Sequence, residues 1–321
     1  TITVRKKKVL LPVNICEIVI PIIQLAGFSP VFYDVDPDTG NSGLENIKAK
    51  YTGEEAVLLA VHNFGLPLEI DLISEWAKEN DIFLIEDVCN ALGATYCNVP
   101  VGNWGDAAIY SFGYSKILEL GFGGGLTVRD SALRQQVMEL ISTFELYSAH
   151  HKRADHDFQS KLRTLRKDPS NQKPEIYGPL YEDYAKFLIY RLDNQQVTLI
   201  KDALLNLEYI LLSRHQKAMM YKNGISSSKI SHLYEVPGQI FWRYNILVEP
   251  ERRNELLKLL IDNTIWASKW YPSVNQLFFK ESESGYYPGA ELFSKRVINL
   301  FVDEHFSIAE LKRTISLINQ F

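Results

Sequence analysis

The spacing of apolar residues changes repeatedly along the first half of the chain. Short apolar runs rich in β-branched residues, typical of buried parallel strands, alternate with segments that have the apolar spacing of amphipathic helices. Strands and helices that alternate in this way predict an α/β fold, with a doubly wound and mostly parallel sheet. The predicted strands are 9–11, 31–35, 56–61, 82–85, 107–112 and 126–128, with helices at 70–79 and 131–144.

The pattern loses its regularity in the second half. Residues 147–184 are mostly polar and contain the breaker-rich stretch 168–171, so we predict an irregular arm, a loop or a short helical arm over the sheet. A helix at 194–220 then leads to a smaller α+β domain. We place the large domain at residues 1–190 and the small C-terminal domain at 191–321. The small domain has predicted strands at 240–248 and 297–301 and predicted helices at 251–260 and 308–318.

Composition narrows the class of protein. The 321 residues are 46% hydrophobic and 23% charged, as in ordinary globular proteins, and the net charge of −5 disfavours binding to nucleic acid or to an anionic membrane. The apolar run 18–23 contains a proline and is far shorter than the roughly 20 residues of a membrane helix. Cys16, Cys89 and Cys97 are too few for a disulfide framework or a zinc site, so we expect free thiols in a reducing cytoplasm.

Two charged residues stand at the ends of predicted strands. Asp87 follows the run 82–85, and Lys116 follows the run 107–112. Ligands of open α/β sheets bind at the carboxyl ends of the strands, so the acid and the amine can face one small molecule. Pyridoxal phosphate chemistry uses such a pair: a lysine forms a Schiff base with the cofactor aldehyde, and a carboxylate keeps the pyridine nitrogen protonated. A free lysine has a pKa of about 10.4, so Lys116 has to be desolvated or placed near other cations to react at neutral pH.

A series of motifs surrounds this pair in a fixed order. The central ones are Ile85-Glu86-Asp87-Val88-Cys89-Asn90, the segment 101–106, and Ser111-Phe112 followed by Lys116 and the glycine run 121–125; the outer ones are 27–36, 61–65, 190–192 and 270–272. Together they resemble the DegT/DnrJ/EryC1/StrS family, the sugar aminotransferases of the fold type I pyridoxal phosphate group. The resemblance covers most of the chain.

The resemblance implies a role for each site residue. Lys116 is the Schiff-base lysine and the general base and acid, and Asp87 is the pyridine partner. Asn90 is the neighbour of the cofactor phenolic oxygen, Ser111 is a phosphate contact, and Cys16 stands where the family commonly has an aromatic residue stacked on the ring. We therefore expect a pyridoxal 5'-phosphate-dependent aminotransferase that moves an amino group from a donor such as glutamate to a keto sugar. We expect this sugar to be linked to a nucleotide and to serve the synthesis of a surface polysaccharide or a modified natural product. The resemblance also implies a homodimer, with the arm as the candidate to cross to the other subunit.

The chain departs from the family pattern at four points, and three of them, all but Asn90, support an alternative. The sequence shows no upstream Ser-Gly-Thr type turn of the kind that binds phosphate at a helix N-terminus. Cys16 replaces an aromatic residue, Ile189 stands where an Asn commonly reaches the neighbouring subunit's phosphate, and Asn90 replaces Gln or His. The alternatives are a degenerate, non-catalytic member that binds a ligand or partner, and a sequence that omits upstream residues. Retention of Lys116 and Asp87 favours the enzyme.

Three further features of the sequence give weaker indications of function. His150, His151 and His156 lie in the polar arm without the spacing of a metal site, so we predict no metal. The glycine run 121–125 precedes a strand instead of linking a strand to a helix, which argues against NAD binding. His62 ends a predicted strand and is either a cofactor contact or a hydrogen-bonded packing residue.

Overall fold

A six-stranded sheet forms the centre of the first half of the molecule. The computed structural model describes residues 7–168, 171–280, 282 and 285–321. The strand order is β2-β1-β3-β4-β7-β8; all neighbours are parallel except the β7–β8 pair, which is antiparallel. The strands are β1 (Lys8–Pro12), β2 (Ser29–Tyr33), β3 (Glu55–Val61), β4 (Phe83–Asp87), β7 (Ala107–Ser111) and β8 (Gly124–Val128), and a small hairpin pairs β5 (Thr95–Tyr96) with β6 (Val99–Pro100).

Both faces of this sheet are covered. Successive residues of a strand point to opposite faces, and Leu10 and Leu11 accordingly belong to two different core clusters. Leu10 packs with Ile70, Ile73 and Trp76 on one side, and Leu11 packs with the N-terminal helix on the other. The predicted parallel α/β arrangement is therefore observed. The helices of this part are α1 (Val19–Leu25), α2 (Leu44–Lys48), α3 (Ile70–Glu79) and α4 (Ser131–Ser142).

The prediction for the arm left open a loop or a short helical arm, and the structure shows a helical one. Most of the arm is helical, in α5 (Ala149–Arg166) and α6 (Pro174–Lys186). A narrow apolar face was hidden by the polar composition: Phe158 and Leu162 pack with Tyr177 and Tyr181 on the facing helix. An amphipathic helix needs only such a stripe to be stabilised by packing.

The C-terminal part is a four-stranded antiparallel sheet with helices, as predicted for an α+β lobe. The predicted helix at 194–220 is in fact two helices, because Asn206 interrupts it and turns its side-chain amide to the Asp202 carbonyl, a bond that competes with the helical backbone. The division at residue 190 stays a prediction. The sheet order is β11-β12-β10-β9, with β9 (Ile230–His232), β10 (Tyr244–Val248), β11 (Ala267–Ser268) and β12 (Val297–Leu300), and the helices are α7 (Asn194–Leu204), α8 (Leu207–Gly224), α9 (Pro250–Asp262), α10 (Asn275–Phe278), α11 (Pro288–Arg296) and α12 (Ile308–Gln320).

Candidate active site

The carboxyl ends of β4 and β7 bring the predicted acid and amine to one edge of the sheet. Asp87 is the last residue of β4 and lies opposite Ile109 of β7. Lys116 follows β7 after a short loop. That loop is fixed at Ser115, which has a φ of 61° and whose carbonyl accepts a hydrogen bond from the Trp242 indole at 2.5 Å. The C-terminal lobe thus helps to position Lys116.

A chain of hydrogen bonds joins Lys116 to the C-terminal lobe. The Lys116 amine donates to Asn90 Oδ1 at 3.2 Å, and Asn90 Nδ2 donates to the Tyr271 hydroxyl at 2.9 Å. Asn90 is only 5% exposed, and both ends of its amide have partners. Asp87 accepts from the Cys89 backbone N–H at 2.9 Å. Asn90 therefore holds the amine in place beside Asp87.

The charge state of Lys116 differs from the one expected for a reactive lysine. Burial alone would lower the pKa of its amine. Neighbouring acidic groups outweigh burial and raise this pKa above its usual value; they are Tyr271, Cys89, Cys16 and Asp87. Burial in turn raises the pKa of the Cys89 thiol and of the Tyr271 phenol. The raised pKa of Lys116 favours the protonated form of the free amine at neutral pH.

A cavity of about 380 Å³ lies over this amine, within the size range of small-ligand sites. The strand ends contribute Cys16, Ser111 and Lys116, and the arm covers the opposite side. Asp87 and Asn90 are buried and are not among the described residues that line the cavity. Other lining residues come from three places: Gly121, Phe122 and Gly123 after β7, Tyr147, His151, Asp155, Arg166 and Tyr184 of the arm, and Trp242, Trp270 and Tyr271 of the C-terminal lobe.

Two residues that line the cavity fit pyridoxal phosphate: Lys116 offers an amine in a cavity of suitable size, and Ser111 offers a hydroxyl. Asp87 does not line the cavity; it is 7% exposed and close enough to Lys116 for its charge to raise the pKa of the amine. Ser111 lines the cavity, and its hydroxyl accepts a hydrogen bond from the Gly113 N–H at 3.3 Å. Cys16 also lines the cavity, where a thiol gives less ring contact than an aromatic side chain.

His62 is a packing residue. It is fully buried, its Nδ1 accepts from the Leu68 N–H at 3.1 Å, and its Nε2 lies 3.2 Å from Glu86. Glu86 also accepts three backbone N–H groups, each at 2.7 Å, from residues 102, 104 and 105. Of the two alternatives for His62, the structure supports packing.

Two charged residues of the cavity wall were missed in the sequence. Arg166 donates from Nη2 to Glu17 Oε2 at 2.6 Å, and the Tyr181 hydroxyl donates to the same oxygen. Glu17 and Arg166 are 149 positions apart, so no local motif joins them. The indirect signal was a carboxylate next to Cys16, in a segment already predicted to reach the site.

Known proteins are similar to this chain in sequence and in fold. The chain matches the model of the DegT/DnrJ/EryC1/StrS aminotransferase family over residues 6–319. It is 26% identical over 318 residues to dTDP-3-amino-3,6-dideoxy-alpha-D-galactopyranose transaminase of Aneurinibacillus thermoaerophilus, covering 98% of this chain and 78% of that protein. GDP-perosamine synthase of Escherichia coli O157:H7 is 33% identical over 111 residues, which are 35% of this chain and only 30% of that protein.

The fold is shared at lower sequence identity. Helicobacter pylori PseC, an aminotransferase involved in the biosynthesis of pseudoaminic acid, superposes with a TM-score of 0.79 at 16% identity, covering 100% of this chain and 81% of that one. This likeness confirms the predicted fold class. Because the family model spans nearly the whole chain, the protein belongs to the DegT/DnrJ/EryC1/StrS aminotransferase family.

Proposed function

We propose that this protein is a pyridoxal phosphate-dependent sugar aminotransferase. It takes an amino group from an amino acid donor such as glutamate and gives it to a keto sugar. The keto sugar is linked to a nucleotide. The observation that carries this proposal is the Lys116 amine, which lines a small-ligand cavity and donates to the buried Asn90. Membership of the aminotransferase family supports it.

Each residue has a defined task in this proposal. Bound pyridoxal phosphate supplies an electron sink for proton removal from the carbon next to the amino group. Lys116 holds the cofactor and moves that proton at its Nζ, as general base and then as general acid. Asp87 keeps the ring nitrogen protonated. Asn90 positions Nζ through its Oδ1, and Ser111 offers its hydroxyl to the phosphate.

The test is a covalent adduct on Lys116. Purified protein mixed with excess pyridoxal phosphate and reduced with borohydride is digested and analysed by mass spectrometry. We expect the adduct on Lys116, with no adduct at that position in Lys116→Ala. An adduct on another lysine contradicts the site assignment. No adduct at all contradicts the enzyme proposal and favours the non-catalytic ligand-binding alternative.

Asp87→Ala separates cofactor attachment from turnover. The variant keeps the Lys116 amine, so the reduced adduct still forms. It loses the charge that stabilises the protonated ring, so we expect amino transfer to fall roughly 10²–10³-fold, as when another preorganised electrostatic group is removed from an active site. Amino transfer at the wild-type rate contradicts the assigned role of Asp87.

We also propose a homodimer. Helix α4 (Ser131–Ser142) has no buried residue within the single chain, and its Met138 and Leu140 are 61% and 58% exposed. Exposed apolar residues that cluster on one helix are typical of protein interfaces. A second copy of the chain on this helix agrees with the assembly expected from the family resemblance.

A further inference from the structure

Arg166 gives the cavity a second fixed positive charge. Among the described residues that line this cavity, Lys116 and Arg166 are the lysine and arginine side chains. The Arg166 guanidinium lies 5.3 Å from the centre of the Trp270 ring, in cation–π contact, and one third of its side chain is exposed. It is thus held in place in the wall of this cavity, which it shares with a neighbouring cavity.

Glu17 is the present partner of this cation. Its carboxylate is 8% exposed and is bound by Arg166 and by the Tyr181 hydroxyl on the same oxygen. Tyr181 is a partner that Glu17 keeps if Arg166 turns to another anion. An arginine carries five N–H donors, of which Glu17 uses one and Tyr177 another, so donors are left for a second carboxylate.

The site lies within reach of the chemistry. Glu17 is adjacent in sequence to Cys16. Burial raises the pKa of the Cys16 thiol, and the nearby Lys116 amine opposes this shift. The acid of the arm in this wall, Asp155, accepts a hydrogen bond from the Tyr184 hydroxyl at 2.5 Å. Arg166 lines the same cavity as Lys116, so it can bind an anionic part of a substrate that reaches the amine.

We propose that Arg166 binds the side-chain carboxylate of the amino donor. When the sugar occupies the cavity, the Glu17 carboxylate binds Arg166 instead of the donor carboxylate. This inference rests on the proposed function. A transaminase admits two different substrates to one cavity in turn, a dicarboxylic donor and a sugar with no carboxylate. An unpaired guanidinium beside the sugar would be costly, and an internal carboxylate removes that cost without blocking the donor.

The cofactor phosphate is the other anion of the cavity. The planar guanidinium fork matches carboxylates and phosphates alike, so the experiment has to distinguish the two. The carboxylate is favoured because Arg166 already binds one, on Glu17. Ser111 and Gly113 are the candidate phosphate contacts.

The experiment compares Arg166→Gln with Arg163→Gln. Arg163 lies on the same helix but is exposed and does not line the cavity. Binding of glutarate to cofactor-free protein is measured by calorimetry, and the KM for L-glutamate and the Kd for pyridoxal phosphate are measured separately. We expect Arg166→Gln to weaken glutarate binding and raise the glutamate KM about ten- to a hundredfold, as for loss of a charged hydrogen bond, with little change in cofactor Kd. Arg163→Gln should behave as wild type.

Glu17→Gln should change the glutarate affinity in the opposite direction from Arg166→Gln. It removes the internal competitor for Arg166, so glutarate should bind several-fold more tightly, whereas a purely structural ion pair would give weaker binding in both variants. Arg166→Lys keeps the charge but loses the planar guanidinium fork, and it supplies the answer if Arg166→Gln fails to fold: its glutarate affinity should fall below that of the wild type.

Three results would overturn the inference. They are an unchanged glutamate KM in Arg166→Gln, weaker glutarate binding in Glu17→Gln, or a loss confined to cofactor affinity, which would assign Arg166 to the phosphate. Failure of the proposed function itself is recognised separately, by the absence of the borohydride-stable adduct on wild-type Lys116.

Discussion

Lys116 shows how one residue can be identified from sequence while its electrostatic state cannot. Its place after an apolar strand was enough to predict that it reaches the edge of the sheet beside Asp87. Its raised pKa depends on groups from three separate segments, at Cys16, Cys89 and Tyr271. Such a sum of contacts has no local sequence pattern.

This electrostatic state predicts a pH dependence for cofactor attachment. The neutral amine attacks the aldehyde, and the folded pKa of Lys116 lies above its ordinary value of 10.5, so the neutral fraction rises with pH throughout the range 7–9. We expect the initial rate of borohydride-trapped labelling of Lys116 to rise about tenfold per pH unit. Mass spectrometry after short reaction times measures this rate.

Asp87→Asn is the informative variant for this pH dependence. It removes the negative charge that favours the protonated amine, so the pKa of Lys116 falls and labelling at pH 7 becomes faster. A pH-independent rate in the wild type, or slower labelling in Asp87→Asn with cofactor at saturation, would contradict this electrostatic account.

At the scale of the element, β4 illustrates two roles for neighbouring acids. Strand alternation sends Asp87 towards the site and Glu86 towards the loop of residues 102–105, where it accepts three backbone N–H groups and contacts His62. The sequence placed the pair at a strand end but did not separate the two roles. Glu86 fixes the loop that precedes β7, and β7 in turn positions Lys116.

Glu86→Gln should therefore destabilise the fold. Burial acts to raise the pKa of Glu86, but His62 and the backbone N–H groups outweigh it and hold the pKa below 4.5. A depressed pKa contributes stability above the unfolded value of 4.5, and this contribution is lost as the pH falls through the folded pKa. We expect a loss of about 2–3 kcal/mol at pH 7, measured by urea unfolding.

The control for Glu86 is Glu79→Gln, an exposed acid at the end of α3. It should unfold as the wild type does. The difference between wild type and Glu86→Gln should shrink below pH 4.5, because protonation removes the same charge. A constant difference down to pH 3 would show that the charge of Glu86 is not what stabilises the loop.

Helices α5 and α6 depend on a few aromatic contacts. Phe158 stacks on Tyr184 with ring centres 3.8 Å apart and meets Tyr181 edge-on at 4.9 Å. This narrow stripe also explains why the sequence pattern did not place the two helices, since polar residues dominate α5 and since α6 contains Gly178 and Pro179. The packing of a few rings therefore decides whether the arm covers the cavity.

Phe158→Ala should loosen the arm. Loss of a buried phenylalanine costs about 3–5 kcal/mol, and we expect this cost to fall mainly on the contact between α5 and α6. Limited proteolysis should then cut within residues 149–186 faster than in the wild type. Lys161→Ala, an exposed change on the same helix, should leave the cleavage pattern unaltered. Equal cleavage rates in Phe158→Ala and wild type would show that other contacts hold the arm.

At the scale of the whole molecule, the sequence predicted the order of layers better than the contacts between them. Apolar spacing is a property of each segment, so the sheet and most helices could be predicted. Contacts such as Trp242 with Ser115, or Asn90 with Tyr271, join the two lobes across long stretches of chain and depend on how the lobes pack. Among the described residues, no helix has the length and apolar character needed to cross a bilayer.

The exposed apolar residues of α4 lead to the prediction about assembly. The chain has a mass of 36.8 kDa, and we expect sedimentation velocity to give a species of twice that mass. Met138→Glu places a charge on the proposed contact and should shift the protein to monomer, because a buried unpaired carboxylate is strongly unfavourable. Leu72→Glu, at a residue 46% exposed on α3, is the matched control and should remain dimeric. A wild-type monomer that binds cofactor and transfers amino groups would contradict the homodimer, whereas a dimer unaffected by Met138→Glu would place the interface on another face.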